Sequence, residues 1–359
     1  MSFIIGRGRA DTEGKPAGNL GRFRALDGSD GAQLYFDCNR PHAMLIVGKR
    51  GYGKSYTLGV IAEELARIDG VAPVVLDPMG AFETVAGGTA VPARVISEPA
   101  VRPDSLVGRS WCALVGLSPE SAAGALLWQA AEAGSTLADI REQIRSRTAT
   151  DAARRAAINH VDLADSWGVF DADGLDATTL TGGELTVLDL SGLADEPMNA
   201  VARSVADTLY RARVDDIVSR LPWLLVDEAH TFFDGVAAPA LETVLTRGRA
   251  PGVSSVFVTQ RPAAVPEVAI SQSDILVSHR LTAESDIAAL SAAQPTYMTD
   301  SLETRLPTAP GEVLIVDDST ETVHTAGIRS RITDHGGESA TVCDHVQSAQ
   351  SAANINTDR

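Results

Sequence analysis

Lysine is almost absent from this chain. It occurs only at Lys15, Lys49 and Lys54, so 27 of the 30 basic residues are arginines. Cysteine is as scarce: Cys38, Cys112 and Cys343 stand far apart with no CxxC pair, which argues against a disulfide frame and against a cysteine zinc site. No apolar run approaches the roughly 18 residues of a membrane-crossing helix. The start, Met1 to Gly6, has too short an apolar stretch and no basic lead for a secretory signal. These absences lead to the expectation of a reduced, cytoplasmic protein with no membrane partner.

What is present can bury a core. The chain has 359 residues, 44% apolar and 21% charged, enough for two domains or one large α/β domain with an insertion. Acidic residues outnumber basic ones 47 to 30, a net charge of −17. Such a balance normally counts against a nucleic-acid partner, whose phosphates supply most of the affinity. A lysine-poor, Asp- and Ala-rich composition, however, suits a halophilic cytoplasm, where an acidic surface answers the salt. On that reading the net charge does not exclude DNA.

Short apolar runs with a β-branched character recur at Ala43–Val47, Pro73–Asp77, Leu185–Leu190, Trp223–Val226, Val253–Thr259, Ile275–His279 and Val313–Val316. They read as strands buried on both faces. Helical periods lie between them: Leu58, Ile61, Ala62 and Leu65, closed by Asp69-Gly70, and later Val201, Val205 and Leu209. Alternation of this kind predicts a mostly parallel α/β sheet. Residues 118–178 break it, Ala-rich and polar with Ser118-Pro119-Glu120 as a helix start, and read as a helical insertion. Residues 1–40 form a short segment with strand-like pieces such as Gln33–Phe36, and residues 332–359 read as a disordered polar tail.

The chemistry concentrates in Gly48-Lys49-Arg50-Gly51-Tyr52-Gly53-Lys54-Ser55, which fits G-x-x-x-x-G-K-[ST] between a strand and a helix. In such a P-loop the glycines let backbone N–H groups curl round the β-phosphate. Lys54 reaches the β/γ oxygens, Ser55 ligates Mg²⁺, and the helix N-terminus adds its positive end. Gly48, Gly51, Tyr52, Gly53, Lys54, Ser55 and Tyr56 are therefore the candidate ATP-binding residues. The apolar strand Leu221–Val226 ends in Asp227-Glu228, as a Walker B strand should. Asp227 belongs on the Mg²⁺ side, and Glu228 is placed to polarise an attacking water. Downstream, Gln260 ends a strand that can lie beside Walker B. Arg249, and less surely Arg247, sits on a surface turn from which it could reach a neighbouring subunit's nucleotide. The arginines 141, 145, 147, 154 and 155 of the insertion are the nearest thing to a basic patch, and read equally as a solvated helix face.

The string Asp227-Glu228-Ala229-His230 invites comparison with DEAH-box helicases, but the second RecA-like domain and late glutamine–arginine motif of those proteins are not in the sequence. The motif order resembles instead the HerA-like branch of the HerA/FtsK P-loop ATPases. It runs P-loop, Leu76-Asp77-Pro78-Met79-Gly80-Ala81-Phe82, DEAH, a Gly-Arg turn, Thr259-Gln260-Arg261-Pro262, then Ser273–Asp286, Gly311-Glu312 and Ile328–Arg331. That resemblance implies a RecA/FtsK-like fold over residues 41–331 and a ring, a hexamer, that translocates duplex DNA. It also implies Asp77 in the active-site strand, Gln260 as sensor, Arg249 as trans finger and a possible nuclease partner. Two departures stand out: Met79, Ala81 and Phe82 replace the family's His, Glu and Tyr, and only 40 residues precede the P-loop strand where the family carries a β-barrel, so that residues 1–40 are either a reduced barrel remnant or the sign of a different way of assembling. The alternatives are an ATP-dependent switch or assembly protein that does not translocate and, more remotely, a small-molecule kinase.

Overall fold

The computed structural model describes residues 3–8, 14–25, 27–298 and 301–335. Its strands are β1 (Phe3–Ile5), β2 (Ala17–Arg24), β3 (Asp30–Asp37), β4 (Ala43–Val47), β5 (Val71–Asp77) and β6 (Ala93–Ile96), then β7 (Leu185–Asp189), β8 (Leu221–Val226), β9 (Ser254–Thr259), β10 (Ile275–Ser278), β11 (Glu312–Asp317) and β12 (Thr322–Ile328). They form one 12-stranded sheet in the order β1-β3-β2-β12-β11-β10-β4-β9-β8-β5-β7-β6. From β10 to β6 every pairing is parallel; β11, β12, β2 and β3 pair antiparallel.

Alternate residues of the parallel strands enter two separate cores. Leu45, Val47, Leu224 and Val226 pack on one face with helices α7 (Asp195–Val214) and α9 (Ala238–Arg247). Met44, Ile46, Trp223 and Leu225 pack on the other with helix α1 (Lys54–Ala66), through Leu58, Ile61 and Leu65. Both faces are covered, which is why these strands read as unbroken apolar runs rather than as alternating ones.

Three sequence expectations change here. In place of a barrel remnant, residues 17–37 supply strands that extend the central sheet, with Gly21 of β2 paired to Ile328 of β12. The insertion between β6 and β7 is wider than residues 118–178. Its helices are α2 (Gly108–Leu114), α3 (Ala122–Ala131), α4 (Leu137–Ser146), α5 (Asp151–Asp165) and α6 (Ala177–Leu180), and α2 to α5 close their own core around Trp111, Leu127, Ile140 and Val161. The cap of α3 is Ser121, which accepts from Gly124 N at 3.0 Å, while Ser118 holds the preceding turn. Of the expected disordered tail, residues 332–335 are instead tied down: Ile332 and Thr333 donate their amides to the buried Glu63 carboxylate at 3.0 and 2.9 Å. Residues 336–359, Cys343 among them, lie outside the described residues.

Candidate functional site: the P-loop end of the sheet

The parallel strands deliver their chemistry at one end. Beyond Val47 the backbone leaves β4 at Gly48, whose φ of 153° and whose Cα, packed on His279, exclude a side chain: a Cβ there would lie 2.5 Å from His279 Cβ. Gly51 (φ 81°) and Gly53 (φ 98°) take left-handed conformations that complete the loop, and Gly53 caps α1. Tyr52 lies between two cations, Lys49 Nζ at 4.8 Å and the Arg280 guanidinium at 5.7 Å from its ring centre. His279 is fully buried under the loop, 3.0 Å from Thr57 Oγ1, and burial with the nearby Lys54 charge lowers its pKa to about 4. It is therefore a neutral prop. Lys54 is buried, its Nζ donating to Lys49 O at 3.2 Å. Burial lowers its pKa, opposed by the Glu228 and Asp227 carboxylates it faces.

Asp227 follows the last residue of β8 and is 1% exposed. Its Oδ1 accepts from Glu228 N at 3.0 Å, while its Oδ2 is buried without a partner. Burial raises its pKa to about 6 against the hydrogen bond from the Ser55 hydroxyl. A serine hydroxyl beside a carboxylate with an open buried oxygen is the hard-oxygen pair that Mg²⁺ takes together with phosphate oxygens, so the residues present fit that ion. Glu228 adopts a left-handed backbone, φ 44°, a strained conformation for a non-glycine residue. Burial raises its pKa, offset by Lys54, by a hydrogen bond from the Gln260 backbone N–H and by Arg50. Arg50, Met79, Met198, Glu228, His230 and Gln260 line one open cleft of about 260 Å³.

The structure brings together Gly48, Gly51, Tyr52, Gly53, Lys54, Ser55, Asp227, Glu228 and Gln260. Asp77 stands beside them, at the end of the strand next to β8: Asp227 N donates to Leu76 O at 3.1 Å, and burial with the Asp227 charge raises the Asp77 pKa to about 6. Fully buried, its two oxygens also accept the amides of Met79, Ala81 and Phe82 at 3.2, 3.1 and 2.8 Å, so it braces the turn after β5. Two others lie apart. Tyr56 turns to the C-terminal segment, its hydroxyl accepting from Arg331 N at 2.7 Å and its ring edge-on to His335. Arg249 is exposed beside His42, Ala43, Val253 and Asp274, where β4 and β9 begin. The five residues of β4 put it roughly 16 Å from this chain's own P-loop. Three of the insertion's five patch arginines are engaged locally: Arg141 pairs with Asp162 and Asp165, Arg154 with Asp151, and Arg147 bonds Gln129 O. Arg50 and the buried His279 escaped a sequence assignment. The first fills a variable position of the motif, and the second is distant in sequence from the loop it supports.

The comparisons agree with this geometry. The family model described as helicase HerA, central domain, matches residues 19–209, and that described as helicase HerA-like C-terminal matches residues 215–306. Among solved structures, VirB4 of Thermoanaerobacter pseudethanolicus superposes with TM-score 0.67 at 16% identity, covering 87% of this chain and 96% of that one. The plasmid coupling protein TrwB, bound to a non-hydrolysable GTP analogue, gives 0.52 at 14% identity, covering 82% and 87%. No curated protein sequence matches the chain. With the central-domain model spanning more than half of its residues, the chain belongs to the HerA family of P-loop ATPases.

Proposed function

We propose that this ATPase is a ring-forming motor that uses Mg²⁺-dependent ATP hydrolysis to move duplex DNA. The observation that carries the hydrolytic part is the meeting of Lys54, Ser55, Asp227 and Glu228 at one end of the sheet, with Asp227 Oδ2 left open. In this reading the P-loop amides and Lys54 hold the β- and γ-phosphates. Ser55 and Asp227 would hold Mg²⁺, which supplies charge neutralisation on the phosphates. Glu228 takes a proton from the attacking water as its oxygen bonds the γ-phosphorus. The bond to the bridging oxygen breaks, and ADP and inorganic phosphate leave. Gln260, one residue past β9 and lining the same cleft as Glu228, would sense the γ-phosphate through its side-chain amide.

Ring assembly is supported by the two ends of the sheet. Arg249 stands the length of a strand away from its own P-loop, and in this reading acts on the next subunit. The turn that carries it is tied to the end of α7 by Arg213, whose Nε donates to Pro251 O at 2.9 Å. Beside it Val214 and Ile217 are 55% and 65% exposed, while Met79, 64% exposed, lies by the nucleotide cleft. A head-to-tail contact joining those ends repeats into a ring. The test is the ATPase rate with and without duplex DNA in molar KCl, beside Glu228→Gln. DNA stimulation that vanishes in the variant supports the motor. A rate indifferent to DNA overturns translocation and favours an ATP-dependent switch, a reading to which the replaced residues of the 78–82 turn also lend weight.

A further inference from the structure

We infer that Arg50 is a further catalytic residue, a cis-acting arginine that places its guanidinium on the γ-phosphate while Glu228 directs water at it. This rests on the hydrolytic reading of Glu228 and extends it.

Arg50 is the third residue of the P-loop motif and is exposed. Among the described residues it has no hydrogen-bond or ion-pair partner, unlike its neighbours: Lys54 bonds Lys49 O, and Lys49 stacks on Tyr52. Yet it is not pointing at random. It shares the cleft with Glu228, Gln260 and Met79, and its charge acts on the Glu228 carboxylate. The loop main chain fixes where the phosphates lie, and the cleft between Glu228 and Gln260 is the side from which water must reach the last of them. A guanidinium standing there presents a planar fork of donors to equatorial phosphate oxygens, whose charge is redistributed as the bridging bond breaks. The cost of leaving that cation unpaired in the nucleotide-free chain is small because it is solvated. Arg249, by contrast, stands at the other end of the sheet beside Asp274. The two arginines therefore serve different purposes: Arg50 acts within one chain, Arg249 only between chains.

The test compares Arg50→Ala and Arg50→Lys with the parent protein by calorimetric binding of ATP and of ADP–aluminium fluoride, and by turnover. The expected result for Arg50→Ala is ATP affinity within a few-fold of the parent, with turnover and affinity for the transition-state mimic both down roughly 100-fold or more. Arg50→Lys should recover only part of this, because the fork is lost. Mixing Arg50→Ala with Glu228→Gln should restore nothing, because each site needs both residues from one chain. Turnover within threefold of the parent, equal losses for ATP and the mimic, or activity regained on mixing would each overturn the inference. Full turnover by Glu228→Gln alone would instead overturn the reading of Glu228 on which it rests.

Discussion

Raising the pH should loosen the end of the sheet opposite the nucleotide, through His42. This imidazole is 5% exposed and sits between two carboxylates, with Nδ1 2.7 Å from Asp274 Oδ2 and Nε2 3.4 Å from Asp37 Oδ2. Burial pulls its pKa down, but the bonds and charge of Asp274 and Asp37 outweigh that and lift it from 6.5 to about 9. The folded state therefore holds the proton more tightly than the unfolded chain. The stabilisation is complete below pH 6.5 and is lost as the pH climbs through about 9. The displacement corresponds to about 3 kcal/mol in all, of which about 2 kcal/mol disappears between pH 6.5 and about pH 8.5. Solvent screening takes little from this, because the ring is enclosed. The assay is urea denaturation in molar KCl at both pH values, on the parent and on His42→Gln. The parent should lose about 2 kcal/mol more than the variant over that interval. Equal losses in the two proteins would refute the reasoning, whatever the common slope owes to other groups.

Four further outcomes follow from named contacts. Glu63→Ala removes a fully buried carboxylate that accepts from Thr333 N, Thr333 Oγ1 and Arg329, and leaves the buried Arg331 without its counter-ion. The expected cost is about 3 kcal/mol by urea denaturation, with faster proteolysis at residues 330–335, and a change under about 1 kcal/mol would contradict the arrangement. Gly48→Ala drives a methyl group to 2.5 Å from His279 Cβ at a φ of 153°. Titration calorimetry should show ATP affinity falling at least roughly tenfold, since the loop must move off its prop; unchanged affinity counts against the loop geometry. Ile217→Asp charges the exposed apolar turn that follows α7, and sedimentation should show a smaller assembly with ATP binding retained, whereas an unaltered assembly places the contact elsewhere. The net charge of −17 predicts that the unfolding midpoint rises from dilute to molar KCl as self-repulsion is screened; a flat profile removes the salt-adapted reading of the composition.

How much of this was legible in the sequence follows from burial. β4, β9 and β10 lie where apolar runs indicated, because both their faces are covered and nothing interrupts the run. β5 begins two residues earlier than expected, at Val71, because Pro73 looks like a boundary, while β8 begins at Leu221, where the longer of its two readings put it. β6 and β12 escaped notice: nearly every residue in them is half-buried, and sequences such as Thr-Val-His-Thr-Ala carry no apolar run. The P-loop and the Asp227-Glu228 pair were readable because spacing alone defines them. The bracing role of Asp77 was not, since it depends on three amides of a turn that sequence cannot place. Nor was the position of Arg249, which depends on which end of β9 its turn precedes.

That last point bears on how the chain divides its labour. A parallel sheet gathers loops at the carboxyl ends of its strands, and a ligand bound there sees only residues that follow a strand. Lys54, Asp227, Glu228 and Gln260 all follow one, and so does Arg50. Arg249 precedes β9, and the depth of the sheet separates it from every phosphate its own chain can hold. A residue before a strand can therefore serve hydrolysis only across a subunit boundary. A residue in the P-loop serves it without one. If both arginines act, a lone subunit retains slow turnover through Arg50, and assembly adds the contribution of Arg249. Turnover per subunit should then rise with protein concentration in the parent, and stay at the dilute value in Arg249→Ala.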